Sequence, residues 1–229
     1  MPPVLRAALW MLGTLTSLAL MAIAGRELSA ELSTLQILFF RSAIGLVIIL
    51  AVIWRVGRHH LTTLQPGLQI LRNAAHYIGQ FGWFYGISLL PLAQVFALEF
   101  TMPVWATLLA PLLLKEQITP RRALVVAIGF AGILIVVRPG LVTISPAALA
   151  VLMAAVGYAF AYTLTKKLTR TDTALAIVFY MCLVQLPLGL IPSLFDWVNP
   201  SAAMWPWILA VSVTGLSAHY CLARAFAEA

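Results

Sequence analysis

Eight apolar runs, most of roughly 20 residues and parted by only a few polar ones, constrain this chain more than any other feature. A bilayer core about 30 Å thick takes about 20 residues of α-helix. Inside it each backbone N–H and C=O has to be paired, which apolar runs of this length achieve as helices. With that ruler the spans fall at roughly 7–25, 35–54, 70–90, 92–114, 123–137, 146–165, 174–195 and 204–226. The fifth is short, with Arg122 and Arg138 placed to snorkel from its ends. Only Pro91 parts the third span from the fourth, so these two form a tight hairpin. Hydrophobic residues make up 62% of the chain and charged residues 9%, against about 45–50% and about 25% in a soluble domain. The excess places most of the surface against lipid. The predicted fold class is an all-α membrane protein of about eight transmembrane helices, with no length left over for a soluble domain.

A net charge of +7 would point a soluble chain toward nucleic acid. Here the basic residues stand in short clusters between apolar runs, so they are read as topology signals and no nucleic-acid partner is expected. Arg6, Arg55, Arg58, Arg72, Lys115, Arg121, Arg122, Lys166, Lys167, Arg170 and Arg224 fall on the N-terminal side of the alternation, and only Arg26 and Arg138 on the other. The asymmetry predicts an integral protein of the inner or plasma membrane with a cytoplasmic N-terminus. Ala22-Ile23-Ala24 ends the first run like a cleavage site, but that run exceeds a usual signal-peptide core and further spans follow directly, so an uncleaved first helix is expected. Cys182 and Cys221 sit inside apolar runs and read as small apolar fillers, not as a disulfide or metal framework.

The chain aligns with itself at an offset of 140: Ala8-Leu9 on Ala148-Leu149, Leu12 on Leu152, Ala19 on Ala159, and Arg26-Glu27-Leu28-Ser29 on Lys166-Lys167-Leu168-Thr169. A five-helix unit has an odd number of crossings, so its second copy enters from the opposite side. The result is an inverted repeat, an architecture common in secondary transporters.

The stretch around spans four and five carries Pro103, Leu112-Leu113-Leu114-Lys115-Glu116-Gln117-Ile118-Thr119, Gly129, Gly132 and Val136-Val137-Arg138-Pro139-Gly140. Together with Phe39-Phe40-Arg41 in span two and the hairpin at Pro91, this resembles the EamA-type domain of the drug/metabolite transporter superfamily. The resemblance implies ten helices in two inverted five-helix units. Residues 1–140 would form the first unit and 141–229 a partial second one of three helices, with the last two helices lacking. It also implies a secondary transporter of a small organic metabolite. The alternatives are a truncated, non-transporting remnant and a membrane-embedded enzyme. For the enzyme, Ser217 and His219 are the close hydroxyl–imidazole pair, but at i,i+2 on a helix they point to different faces. No catalytic residue and no cofactor is expected.

Polar groups inside a bilayer need a reason. Arg41 and Glu99 lie about 9 and about 10 Å into spans that both run inward, at matching depth. They could form a structural ion pair, bind substrate or a proton, or snorkel outward. Pro103 removes the hydrogen bond to the carbonyl of Glu99 and so gathers acceptors there, or else marks an ordinary kink. Glu99 is the candidate for proton coupling. On span three, Asn73, His76, Tyr77, Gln80 and Phe84 share a sector of about 100°, opposite Gly79, Gly82 and Gly86. The polar sector lines a cavity or bonds to another helix, and the glycine face admits a close neighbour. His76 has no second ligand at i+4, so no metal site is expected. In the second half Tyr158, Tyr162, Gln185 and His219 are the matching candidates, and Pro187 and Pro192 should distort span seven. Glu116 reads as a partner for Lys115 or the nearby arginines. With no G-x-x-x-x-G-K-[ST] loop, transport would be driven by a gradient or by exchange. The expected partners are a small-molecule substrate and the lipid bilayer.

Overall fold

The computed structural model describes every residue except 116, 118, 138–144 and 229. Glu116 and the Arg138-Pro139-Gly140 close thus lie outside the described residues. Among the described residues the structure holds nine α-helices and no strand. They are α1 (Pro3–Leu28), α2 (Thr34–Val56), α3 (Pro66–Leu89), α4 (Leu92–Glu99), α5 (Met102–Leu114), α6 (Pro120–Val137), α7 (Pro146–Leu168), α8 (Ala174–Ser193) and α9 (Trp205–Glu228). The helices α1 and α7 run past the ends set by apolarity alone, because polar residues continue the backbone ladder beyond the apolar run. Ser33 and Thr173 start α2 and α8 by accepting the N–H groups of Gln36 and Ala176, the usual side-chain cap of a helix start.

The fourth span, expected as one helix, is an apolar stretch of 22 residues with a short interruption at Phe100 and Thr101, both still in the right-handed helical region. The chain leaves α4 at Glu99 and re-enters helix at Met102. Pro103 cannot donate to the carbonyl of Glu99 and its ring crowds that carbonyl, so the ladder is interrupted just ahead of it. By contrast Pro187 and Pro192 sit inside a continuous α8.

Six stretches among the described residues are long and apolar enough to cross a bilayer: Pro3–Leu28, Thr34–Val56, Leu92–Leu113, Pro146–Leu168, Ala174–Asp196 and Ala202–Glu228. Of the other two predicted spans, α3 has the length at 24 residues but carries Gln69, Arg72, Asn73, His76 and Gln80, all buried. The 18 residues of α6 make about 27 Å of helix, close to the core thickness. Large apolar side chains point outward in mid-helix: Val47 is 68% exposed and Met153 64%. Such side chains are at home in lipid, which is as apolar as they are.

The chain packs as two compact units, residues 1–74 with 165–229, and residues 75–164. In the first, α1 lies along α9. Thr14 donates to the carbonyl of Ala218, Ser17 bonds to Ser217, a Cβ on Gly13 would stand 3.1 Å from the sulfur of Cys221, and Arg6 pairs with Glu228 at 2.8 Å. The helices α2 and α8 cross closely, with Gly189 against the backbone of Phe39 and Gly45 against the sulfur of Cys182. Below them Ile49, Ile53, Val178, Met181 and Cys182 form a buried apolar cluster.

The 140-residue relation is visible in this unit bond by bond. After α1, the N–H groups of Ser29, Ala30, Glu31 and Leu32 donate to the carbonyls of Gly25, Glu27, Leu28 and Leu28. After α7, those of Thr169, Arg170, Thr171 and Asp172 donate to Thr165, Lys167, Leu168 and Leu168. The hydroxyls of Ser29 and Thr169 each return to the carbonyl three residues back. Each turn is also gripped by a carboxylate: Glu31 accepts from the N–H and hydroxyl of Ser201, and Asp172 accepts from Thr63, the N–H of Leu64 and the amide of Gln69.

In the second unit the glycine face of α3 meets α7, as the wheel predicts. A Cβ on Gly82 would lie 2.5 Å from the carbonyl oxygen of Ala150, one on Gly86 would run into Val151, and Gly157 of α7 returns the contact at the backbone of Ala75 and Gly79. The helices α4 and α5 both pack on α6.

Candidate functional site

The polar sector of α3 and the adjoining face of α7 make the first of two side-chain clusters. His76 is fully buried and its ring lies 5.4 Å from that of Tyr158 and 6.1 Å from that of Tyr162. The two tyrosines are four residues apart on α7, which puts them on one face, and their rings are nearly parallel at 5.6 Å. Tyr158 reaches this position because Gly79, one turn from His76, has no side chain: a Cβ there would come within 2.9 Å of the tyrosine ring. The seam between the small-residue face and the polar face of α3 is thus where the aromatic cluster forms. Gln80 lies one turn beyond His76 and is 1% exposed. Neither Nε2 nor Oε1 of its amide has a hydrogen-bond partner among the described residues. Tyr77 shares the sector and is half-buried.

Further along α3, Trp83 Nε1 donates to Glu99 Oε2 at 2.7 Å, and Phe84 meets the indole edge to face at 5.1 Å. Glu99 is the last residue of α4, and its carboxylate is held by the indole N–H of Trp83. Thr101 in the break is buried, with its hydroxyl unpartnered among the described residues.

The second cluster lies in the first unit. Arg41 is 3% exposed and its guanidinium reaches the sulfur of Met181 at 3.8 Å, the residue 140 positions later. Its room comes from Gly215, where a Cβ would stand 2.7 Å from Nε. His219, one turn from Gly215 on α9, is also buried. Asn73 takes a hydrogen bond on its side chain from Arg72, and its backbone carbonyl accepts from Gln185 Nε2 at 3.3 Å.

Arg72, counted on the N-terminal side of the alternation, is 1% exposed, donating to Thr165 at 2.9 Å and to Asn73 at 2.6 Å. Its position two residues inside span three was the available signal. Asp172, to which no sequence pattern points, is 6% exposed with four donors around it. Ser217 bonds to Ser17.

The arrangement is one of buried hydrogen-bonding and aromatic groups on bilayer-length helices. Residues 5–138 match the model of the EamA-like transporter family, more than half of the chain. The chain belongs to this family. The family falls in the drug/metabolite transporter superfamily and its members are transporters, not enzymes. An S-adenosylmethionine uptake transporter of Rickettsia prowazekii is 24% identical over 217 residues, 95% of this chain and 74% of its own length. A riboflavin transporter of Vibrio cholerae is 29% identical, over 98% of this chain and 77% of its own. A pseudopaline exporter of Pseudomonas aeruginosa is 30% identical, over 89% and 72%. A crystal structure 17% identical in sequence shares the fold with a TM-score of 0.73, over 96% of this chain and 80% of its own. The chain is an integral membrane protein of a small-molecule transporter family.

Proposed function

We propose that this protein is a secondary transporter of a small organic metabolite, working by alternating access and driven by an ion gradient or by exchange. The observation that carries the reading is the burial of His76, Gln80 and the Tyr158–Tyr162 pair on bilayer-length helices, where polar groups are costly unless used. In the same unit Tyr77, Phe84 and Glu99 are the further substrate contacts, and in the first unit Arg41, Asn73 and His219 are the candidates. The relatives named for S-adenosylmethionine and riboflavin support a substrate that carries ring systems. Glu99 is the proton-coupling group, an acid within a bilayer-length apolar stretch whose carboxylate accepts from the Trp83 indole. The matched turns after α1 and α7 support repeat units of 1–140 and 141–229. The distribution of basic residues supports an inner-membrane protein with a cytoplasmic N-terminus. A thermal-shift screen of the purified protein against a metabolite library, followed by flux of each hit into proteoliposomes, tests the reading. Gradient-dependent or exchange-dependent uptake is expected; hits that bind but never cross the bilayer would overturn it. A tag at the N-terminus that reacts on intact cells would overturn the orientation.

A further inference from the structure

Gln80 is the least explained polar group of the second unit. It is 1% exposed, and both its carboxamide nitrogen and oxygen are shielded without a hydrogen-bond partner among the described residues. Folded proteins pair nine in ten or more of such atoms, so a buried amide left unpaired at both ends calls for a partner from outside the chain. It stands one turn, about 5–6 Å between Cβ atoms, from His76. The His76 ring is in turn packed against the nearly parallel Tyr158 and Tyr162 rings. An amide that offers one donor face and one acceptor face, next to flat π surfaces, is complementary to one class of solute: a planar heteroaromatic ring with a donor and an acceptor side by side on its edge. Rotation about the last side-chain torsion exchanges the amide's donor and acceptor, so the same residue accepts either order. It can therefore meet the amino and ring-nitrogen pair of an adenine, as glutamine does bidentately elsewhere, or the imide edge of a pyrimidine or flavin.

We propose that Gln80 is the specificity-determining residue of the site, reading the donor–acceptor edge of a heteroaromatic substrate whose ring lies against the His76, Tyr158 and Tyr162 cluster. The inference rests on the transporter reading above and names its substrate class. The amide has no partner among the described residues, and the substrate edge supplies both bonds. A ring whose edge is blocked leaves the amide unpaired in the complex, and a site built on buried polar groups rejects such analogues strongly.

The test uses the full chain in nanodiscs. Adenosine, uridine and riboflavin are titrated beside N6,N6-dimethyladenosine, 3-methyluridine and N3-methylriboflavin, with wild type and Gln80→Met, a swap of similar volume. The expected result is that wild type binds at least one unmethylated probe, and its methylated partner at least tenfold more weakly. Gln80→Met should bring both to the weaker value. It should also raise the thermal midpoint of the ligand-free protein, because a buried polar group without partners has been removed. That last readout separates this role from a structural one: an amide bridged by water or the fold would lower the midpoint when replaced. Equal binding of methylated and unmethylated probes, no binding of any probe, unchanged binding by Gln80→Met, or a lowered midpoint would each overturn the proposal. Flux in proteoliposomes of a library hit without such an edge would leave the transporter standing while this proposal fell, whereas flux of no solute at all would remove the transporter reading itself.

Discussion

Placing a single methyl group on Gly82 probes whether α3 and α7 meet backbone to backbone. The Cβ of an alanine there would stand 2.5 Å from the carbonyl oxygen of Ala150 and 3.3 Å from the Cβ of Ala154. A carbon approaches a carbonyl oxygen comfortably at about 3.3 Å, so the two helices would have to part by about 0.8 Å. The obstacle is backbone, which cannot rotate aside as a side-chain end can. Extra methyl groups forced into packed interfaces cost about 1–3 kcal/mol, and between membrane helices no hydrophobic driving force compensates, since lipid is as apolar as the interface. At about 2–4 °C per kcal/mol for a chain of this size, Gly82→Ala should lower the midpoint of thermal unfolding in detergent by roughly 2–12 °C. The control is Gly129→Ala on α6, where a Cβ meets nothing within 4 Å. That change should leave the midpoint level or raise it slightly, because alanine loses less backbone freedom in a helix. A Gly82→Ala protein as heat-stable as wild type, with Gly129→Ala less so, would refute the close approach.

Three further outcomes follow from the same geometry. Gly215→Ala would press on the Arg41 guanidinium at 2.7 Å, a flexible end that can shift, so liposome flux should fall at least tenfold while the thermal midpoint moves less than for Gly82→Ala. Unchanged flux would remove Arg41 from the site. Thr165→Val takes away the acceptor of Arg72 Nε, a charge-assisted bond worth about 1.5–3 kcal/mol. The loss should appear as a lower midpoint in thermal or denaturant unfolding, and an unchanged midpoint would contradict it. Glu99→Gln keeps an acceptor for Trp83 Nε1 but cannot titrate. Uptake by wild type should vary with pH where uptake by the variant stays level, and matching pH profiles would end the proton-coupling role.

The partners of Arg72, Thr165 and Asn73, include one 93 residues away, which no local pattern reports. Asp172 lies in a short polar turn, and its role depends on Thr63 and Gln69 arriving from more than 100 residues earlier. The α3 wheel did better. It separated the glycine face from the polar face, and the structure set α7 on the first and gathered the aromatic rings at the seam. That both tyrosines would stack there was not legible, since it hangs on the register of two helices that share no sequence neighbourhood.

The sequence alone determined that the chain is helical and membrane-bound, and where its turns fall. In lipid each backbone group has to be satisfied within its own segment, so helix and span are local properties, and the 140-residue echo of the two turns is local too. Only the tertiary structure decided which buried polar groups meet. Arg41 faces Met181, Trp83 holds Glu99, and Gln80 is left with its amide unpaired among the described residues. Those outcomes follow from how close two helices can come, and that distance is set by the few ångströms a glycine leaves open.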